Sequence, residues 1–250
     1  MDTIITFGEI MLRLKSPGHE RFFQSPALEA TFGGGEANVA VSLSLLGSRS
    51  AYVTALPEGP LGDGAVNELR RYGVDVSRVI RAKGRLGIYF LENGANQRPS
   101  SVLYDRADSA ISRVSPGDFD WKSIFAGASW FHISGITPAI SSGAAEVSLE
   151  AVRAARDAGL KVSLDLNYRK KLWKYGKAAP EVMRPLVALA DILIANEEDI
   201  QNCLGIEVPG ADIAAESFNL EAYRRLTAAV RAEFPRLSAV AVTLRQSRSA

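Results

Sequence analysis

The chain has 250 residues, 47% of them hydrophobic and 23% charged, enough to bury one large α/β core with a small appendage. Lys plus Arg number 29 against 28 Asp plus Glu, so no broad basic field points to nucleic acid or to an anionic membrane, and small-molecule chemistry is the expected class. The single Cys203 excludes an internal disulfide and every multi-cysteine zinc site, and it reads as a small apolar group on a helix face in a reduced compartment.

Residues 3–7 are predicted to form a buried strand that meets Gly8 and Glu9 too soon for a signal-peptide core. No apolar run approaches transmembrane length, so a cytoplasmic protein is expected. From Thr31 the chain reads Thr-Phe-Gly-Gly-Gly-Glu-Ala-Asn-Val-Ala, followed by an apolar helical stretch over 37–46 that stops at Gly47. Three glycines allow a sharp turn and leave main-chain N–H groups uncovered, while Asn38 offers both a donor and an acceptor. The segment is built to hold a small polar ligand at the start of a helix. A strand over 50–54 and a helix over 61–72 ending at Gly73 follow. Further on, 128–133 is a strand, 144–158 an Ala-rich helix before Gly159, and 161–166 a strand. A helix ends at 186–189, 191–195 is a strand, 197–204 and 218–231 are helices, and 238–244 is the last strand. Strands separated by helices of this length imply right-handed crossovers and a mainly parallel sheet covered on both faces.

Two stretches break that rhythm. Residues 12–31 and 86–106 contain strand-like pieces, 86–91 and 101–104, joined by polar turns such as Glu92-Asn93-Gly94-Ala95. They are expected to pair into a small second sheet acting as a lid on one domain spanning 1–250.

In an open parallel sheet, ligands bind beyond the carboxyl ends of the strands. Those positions are polar here: Gly8 and Glu9; Ser134 and Gly135; Asp165, Asn167, Tyr168 and Arg169; Asn196, Glu197, Glu198 and Asp199; Thr243 and Arg245. Any one of them would suit a solvated loop, but five such ends together point to a site. Standard nucleotide motifs are absent: there is no G-x-x-x-x-G-K-[ST], and the glycines near Gly33 do not complete G-x-G-x-x-G. His19 and His132, the two histidines, lack zinc-ligand spacing, and His132 late in a buried strand reads as a hydrogen-bonded core residue. A G-x-S-x-G elbow is also missing.

The pattern Gly33-Gly34, three residues, Asn38, one residue, Ala40 resembles the first signature of the ribokinase-like (PfkB) carbohydrate kinases, and the resemblance covers the whole chain. Pro60-Leu61-Gly62-Asp63, Tyr104-Asp105-Arg106-Ala107-Asp108-Ser109-Ala110 and Asp165-Leu166-Asn167-Tyr168-Arg169 look like the 2-keto-3-deoxygluconate kinases within that family. The resemblance implies a three-layer αβα sandwich with a β-sheet lid and ATP-dependent phosphorylation of a sugar acid. It implies that Arg106 on the lid grips the sugar carboxylate with help from Tyr104, that Tyr89 lines the same pocket, and that Gly34, Gly35 and Asn38 take sugar hydroxyls from below. Asn167, Arg169, Asn196, Thr243 and Arg245 are implied on the nucleotide side, with Arg169 offsetting charge on the moving phosphoryl group. The family's N-x-x-E segment helps place Mg2+ through water. Here it reads Asn196-Glu197-Glu198-Asp199, so Glu198 and Asp199 are the candidates, although the same residues would suit an acidic first helical turn. Pairing of lid strands between subunits would give a homo-oligomer.

The family's catalytic base comes from a C-terminal Gly-Ala-Gly-Asp segment, and this sequence contains none. The expectation is a chain that covers part of a longer protein or a shortened gene product, in preference to a purposeful sugar-acid binding protein. An interrupted parallel sheet would expose apolar surface and make the chain poorly soluble alone. A fructokinase-like specificity is the nearest alternative within the enzyme class.

Overall fold

The computed structural model describes residues 3–209 and 219–243. The chain divides into two compact units: unit 1 spans Thr6–Val114, and unit 2 runs from Ser115 onward and includes the N-terminal residues up to Ile5. Strand β1 (Thr3–Phe7) passes from unit 2 into unit 1.

Unit 1 continues with β2 (Met11–Lys15), β3 (Glu29–Gly33), α1 (Gly35–Leu45), β4 (Arg49–Val53) and β5 (Ala55–Leu56). After these come α2 (Pro60–Arg71), β6 (Ile80–Arg81), β7 (Ile88–Glu92), β8 (Ser101–Asp105) and a 3-10 turn at Ala110–Arg113. The end of β1 neighbours β4, whose residues after Arg49 are all buried, as a strand covered on both faces requires. The core gathers Ile10, Ala40, Tyr52, Leu56, Ala65, Leu69 and Leu86. Four strands make the small sheet in the order β3-β2-β7-β8, antiparallel at β2–β3 and β7–β8 and parallel at β2–β7. Its strands come from the two stretches without helical period, and the parallel central pair makes it a mixed sheet.

Unit 2 contains α3 (Trp121–Ile124), β9 (Ala128–Ser134), α4 (Ile136–Ile140), α5 (Ser142–Asp157) and β10 (Lys161–Asp165). It continues with α6 (Ala179–Val187), β11 (Ile192–Ala195), α7 (Glu197–Leu204), α8 (Leu220–Glu233) and β12 (Ala239–Val242). Its sheet order is β12-β11-β10-β9-β1, and the pairs β9–β10, β10–β11 and β11–β12 are parallel. Asp165 pairs with both Ser134 and Ile194, so these strands end in step and present their carboxyl ends along one edge. Helix α5 starts where Ser141 Oγ accepts from Ala144 N at 3.1 Å, and it buries Ala144, Val147, Ala151 and Ala155 at helical spacing.

The predicted long elements are all present, with ends displaced by a few residues. Helix α1 begins at Gly35, two residues before its predicted start, because Asn38 N already donates to Gly34 O at 2.8 Å and closes the first turn. The helix predicted to end at 186–189 starts at Ala179, with a proline in its first turn and Glu181 Oε2 accepting from Ala178 N at 2.7 Å. Sequence reading missed β5, β6, α3, α4 and the 3-10 turn, none long enough to show a period. Cys203 is buried and its thiol pKa is pushed well up by burial, in keeping with an inert core group. No helix among the described residues is long and apolar enough to cross a membrane.

His132 behaves as the sequence suggested. It is buried, and its Nδ1 lies 2.9 Å from Ser163 Oγ, which also accepts from Trp130 Nε1 at 2.8 Å. Burial lowers its pKa from 6.5 to about 4. A depressed histidine pKa means that the unfolded state binds the proton first, so stability is lost as pH falls from about 6.5 to about 4. The loss amounts to about 3 kcal/mol over that window. His132→Asn is expected to flatten this part of the acid denaturation profile, measured as melting temperature against pH.

Candidate functional site

In unit 1 the glycine-rich turn is held against the end of β1. Gly34 is extended, with φ −173° and ψ 152°, so its conformation suits any residue. Its need for glycine is a close approach: a Cβ there would lie 2.0 Å from Glu9 O and 3.2 Å from Ile10 Cα. Asn38 is exposed on the first turn of α1, and Gly34 N donates to its Oδ1 at 3.5 Å. A Cβ on neighbouring Gly33 would lie 3.0 Å from the Tyr89 hydroxyl, so Tyr89 stands over the turn.

The small sheet supplies the other side. Its register aligns Thr31, Arg13, Tyr89 and Tyr104 in one row across β3, β2, β7 and β8, which puts these side chains on a common face. The Tyr89 and Tyr104 rings are 5.9 Å apart, and Arg13 Nε donates to Thr31 Oγ1 at 2.7 Å. Burial raises the Tyr89 phenol pKa, although Arg13 beside it pulls the other way. Just past β8, Arg106 has its Cζ 5.8 Å from the centre of the Tyr104 ring.

Arg106, expected on the lid, lies just past β8 and is buried. It is 8% exposed, and its Nη2 donates to the carboxylate of Glu9, itself 3% exposed. Arg106 Nε and Glu9 Oε1 are buried without hydrogen-bond partners. Burial raises the Glu9 pKa, while the charges of Arg106 and Arg85 oppose it. Arg85 is anchored by a two-pronged bond to Asp105, at 2.5 and 2.7 Å. The structure therefore brings together Gly34, Tyr89, Tyr104 and Arg106 from the predicted set, with Gly35 and Asn38 on the adjoining helical turn. Sequence reading placed Glu9 among the polar strand ends of the site but gave it no partner. It also missed Arg13, whose place in β2 follows from strand alternation.

In unit 2, β10 ends at Asp165 and the chain turns at Asn167, which sits at φ 39°, a left-handed conformation that Asn tolerates. Asn167 N donates to Asp165 Oδ1 at 3.2 Å, and Tyr168 N donates to Asp199 Oδ1 at 3.0 Å. Arg169 is exposed and makes no ion pair among the described residues. Asn196 caps α7: its Oδ1 accepts from Asp199 N at 2.7 Å while Asp199 Oδ2 accepts from Asn196 N at 3.4 Å. Asp199 is thus committed to main-chain donors, and Glu198 is the more open of the two candidate carboxylates. Burial, and then the charge of Asp199, push Asp165 up to about 6. Thr243 follows β12 and its N donates to Ala195 O at 2.9 Å, while Arg245 lies outside the described residues. Among the described residues no three His, Cys, Asp or Glu side chains gather into a metal cluster.

Unit 1 thus holds a glycine turn under tyrosines with a buried arginine, and unit 2 holds a polar strand-end loop. Residues 1–230 match the model of the pfkB family carbohydrate kinases, and the chain belongs to that family. It is 38% identical over 213 residues to 2-dehydro-3-deoxygalactonokinase of Haloferax volcanii, covering 85% of this chain and 66% of that protein. The crystal structure of 2-dehydro-3-deoxygluconokinase from Thermotoga maritima superimposes with a TM-score of 0.91 at 46% identity, covering 99% of this chain and 73% of that one. An ATP-bound fructokinase from Xylella fastidiosa has a TM-score of 0.77 at 25% identity, covering 98% and 69%. The fold is the α/β arrangement of these kinases, with a mainly parallel sheet and a small mixed one. The chain spans about two thirds or less of the length of the curated relatives it matches.

Proposed function

We propose that the protein is an ATP-dependent kinase of a 2-keto-3-deoxy sugar acid such as 2-keto-3-deoxygluconate, with phosphorylation at the primary hydroxyl. The observation that carries the reading is Arg106: a buried guanidinium beside the Tyr104 ring, with one nitrogen committed to Glu9 and its Nε without a partner. A guanidinium with donors to spare suits a carboxylate better than a neutral hydroxyl. Gly34, Gly35 and Asn38 would take sugar hydroxyls, and Tyr89 and Tyr104 would cover the sugar. A fructokinase-like specificity makes no use of the arginine.

The nucleotide half of the reading belongs to unit 2. Asn167, Asn196 and Thr243 offer polar groups at strand ends, and the unpaired Arg169 would offset charge on the phosphoryl group in transfer. ATP is the donor that the family membership favours. Mg2+ fits here only through water, because Asp199 is occupied by main-chain donors; Glu198, and Asp165 with its raised pKa, would hold the hydrated ion. When bound, it would neutralise phosphate charge. The exposed edge strand β8 would suit pairing with a second copy in the cytoplasm.

Calorimetry with 2-keto-3-deoxygluconate and with fructose, run alongside an ATP-consumption assay, tests the reading. Saturable binding of the acid, with fructose at least about tenfold weaker, is expected. Equal affinities would remove the sugar-acid assignment, and acid binding without ATP consumption by the full chain would make it a binding protein.

A further inference from the structure

Glu9 occupies an unusual position. It lies one residue beyond the Gly8 that follows β1, and its backbone and side chain are walled in from three directions. Its carbonyl oxygen lies 2.0 Å from the place of a Cβ on Gly34, its Oε1 lies 2.7 Å from the place of a Cβ on Gly87, and its Oε2 accepts from Arg106. The ion pair is nearly closed to water, so the charges balance before any ligand arrives. A sugar acid that uses Arg106 would add a second carboxylate to that neutral pair, leaving one buried negative charge in excess. Burying an uncompensated carboxylate costs several kcal/mol, and proteins relieve the cost by protonating the weakest acid present. A guanidinium is a far weaker acid than any carboxylic acid, so a carboxyl takes the proton. A 2-keto acid is stronger than a glutamic acid, so its carboxylate stays ionised.

Resting on the sugar-acid reading above, we propose that Glu9 sets the selectivity for acids: its carboxylate balances Arg106 in the free protein and takes up one proton from solvent when the ligand carboxylate binds. The proton has a place to go. Glu9 Oε1 has no hydrogen-bond partner, and once protonated it becomes a donor with the Ser109 hydroxyl, itself without a partner, beside the carboxyl to accept it. The raised pKa of Glu9 in the unliganded protein agrees in direction. The other charged and titratable groups around it are Arg106 after β8, Arg85 before β7 with its partners Asp105 and Asp108, and Tyr52 on β4. Glu36 on α1 shares the Tyr52 neighbourhood. Tyr52 is pushed well up by burial and stays protonated, and the bond from Arg85 holds the Asp105 carboxyl below its usual range, which leaves Glu9 and Glu36 as the buried carboxyls nearest the pair.

The consequence is a pH-dependent preference. Acid affinity should rise as pH falls from about 8 to about 6, by up to about tenfold per pH unit, while binding of a neutral analogue such as the acid's primary amide stays flat. Calorimetry of the full chain with 2-keto-3-deoxygluconate in phosphate and in Tris, whose ionisation heats differ, counts the protons taken up. Close to one per acid bound, and none for the amide, is expected. In Glu9→Gln the uptake should vanish, and acid affinity should become independent of pH and at least as tight as that of the unsubstituted protein at pH about 7.5. A proton count of zero with the unsubstituted protein, or weaker acid binding in Glu9→Gln, overturns the proposal while leaving the kinase reading standing. If Glu9→Gln fails to fold, the count with the unsubstituted protein decides alone. Absence of any acid binding by the unsubstituted protein strikes the sugar-acid reading itself.

Discussion

Gly34→Ala is expected to abolish sugar binding and to destabilise unit 1 by more than about 3 kcal/mol, beyond the usual range for overpacking. The added methyl would lie 2.0 Å from Glu9 O, 3.0 Å from Glu9 C and 3.2 Å from Ile10 Cα. All three are main-chain atoms, so no side chain can rotate out of the way. Relief requires moving either the turn or the segment after β1, and that segment carries Glu9, which holds Arg106. One methyl group would therefore disturb the glycine turn and Arg106, the two parts of the proposed sugar-acid site, together. Gly47→Ala makes a useful contrast. Gly47 has φ 86° with open space around its Cβ, so its cost is backbone strain alone, about 1 kcal/mol, and sugar binding should survive. Thermal melting and calorimetry on both variants check the pair; sugar binding retained in Gly34→Ala would disprove the close-approach argument.

The long elements were legible because their signals are local. The runs at 3–7, 128–133, 161–166 and 191–195 are short, apolar and bounded by turn residues, as strands buried on both faces must be. The start of α7 was legible as an acidic first turn, and the structure adds that Asn196 and Asp199 cap it reciprocally. That same bonding limits what Asp199 can do for a metal, which the spacing did not convey. Glu9 was legible as a polar residue at a strand end, but its pairing was not. Its partner lies 97 residues away, and a glutamate after a strand looks the same in sequence whether it is solvated or sealed against an arginine. Arg106 was visible through its Tyr-Asp-Arg surroundings, yet strand pattern gave no hint that it would be buried. Burial here is set by the chain approaching from β1 and from Gly87, and nothing local encodes it.

Arg106→Ala is expected to lower affinity for the sugar acid by about a hundredfold or more while changing binding of its neutral amide by less than about threefold. The first loss reflects the charge-assisted hydrogen bonds that only the acid can use. The second is small because Tyr89, Tyr104, Asn38 and the glycine turn are untouched. The substitution also strands Glu9, which is 3% exposed, without its counter-charge. Breaking a buried pair by removing one partner costs about 3–5 kcal/mol where the remaining group stays ionised. Burial already raises the Glu9 pKa, and losing Arg106 removes a charge that opposes that rise. A carboxyl whose folded pKa lies above its unfolded value contributes full stability below the unfolded pKa and loses it as pH rises through the folded one. The variant should therefore melt far below the unsubstituted protein at pH about 8, and the gap should narrow as pH falls and Glu9 takes up a proton. Glu9→Gln combined with Arg106→Ala should recover most of the alkaline loss in stability without recovering acid affinity. Melting at the two pH values separates the structural role of the arginine from its role in recognition. An equal loss of acid and amide binding in Arg106→Ala would show that the residue shapes the fold alone.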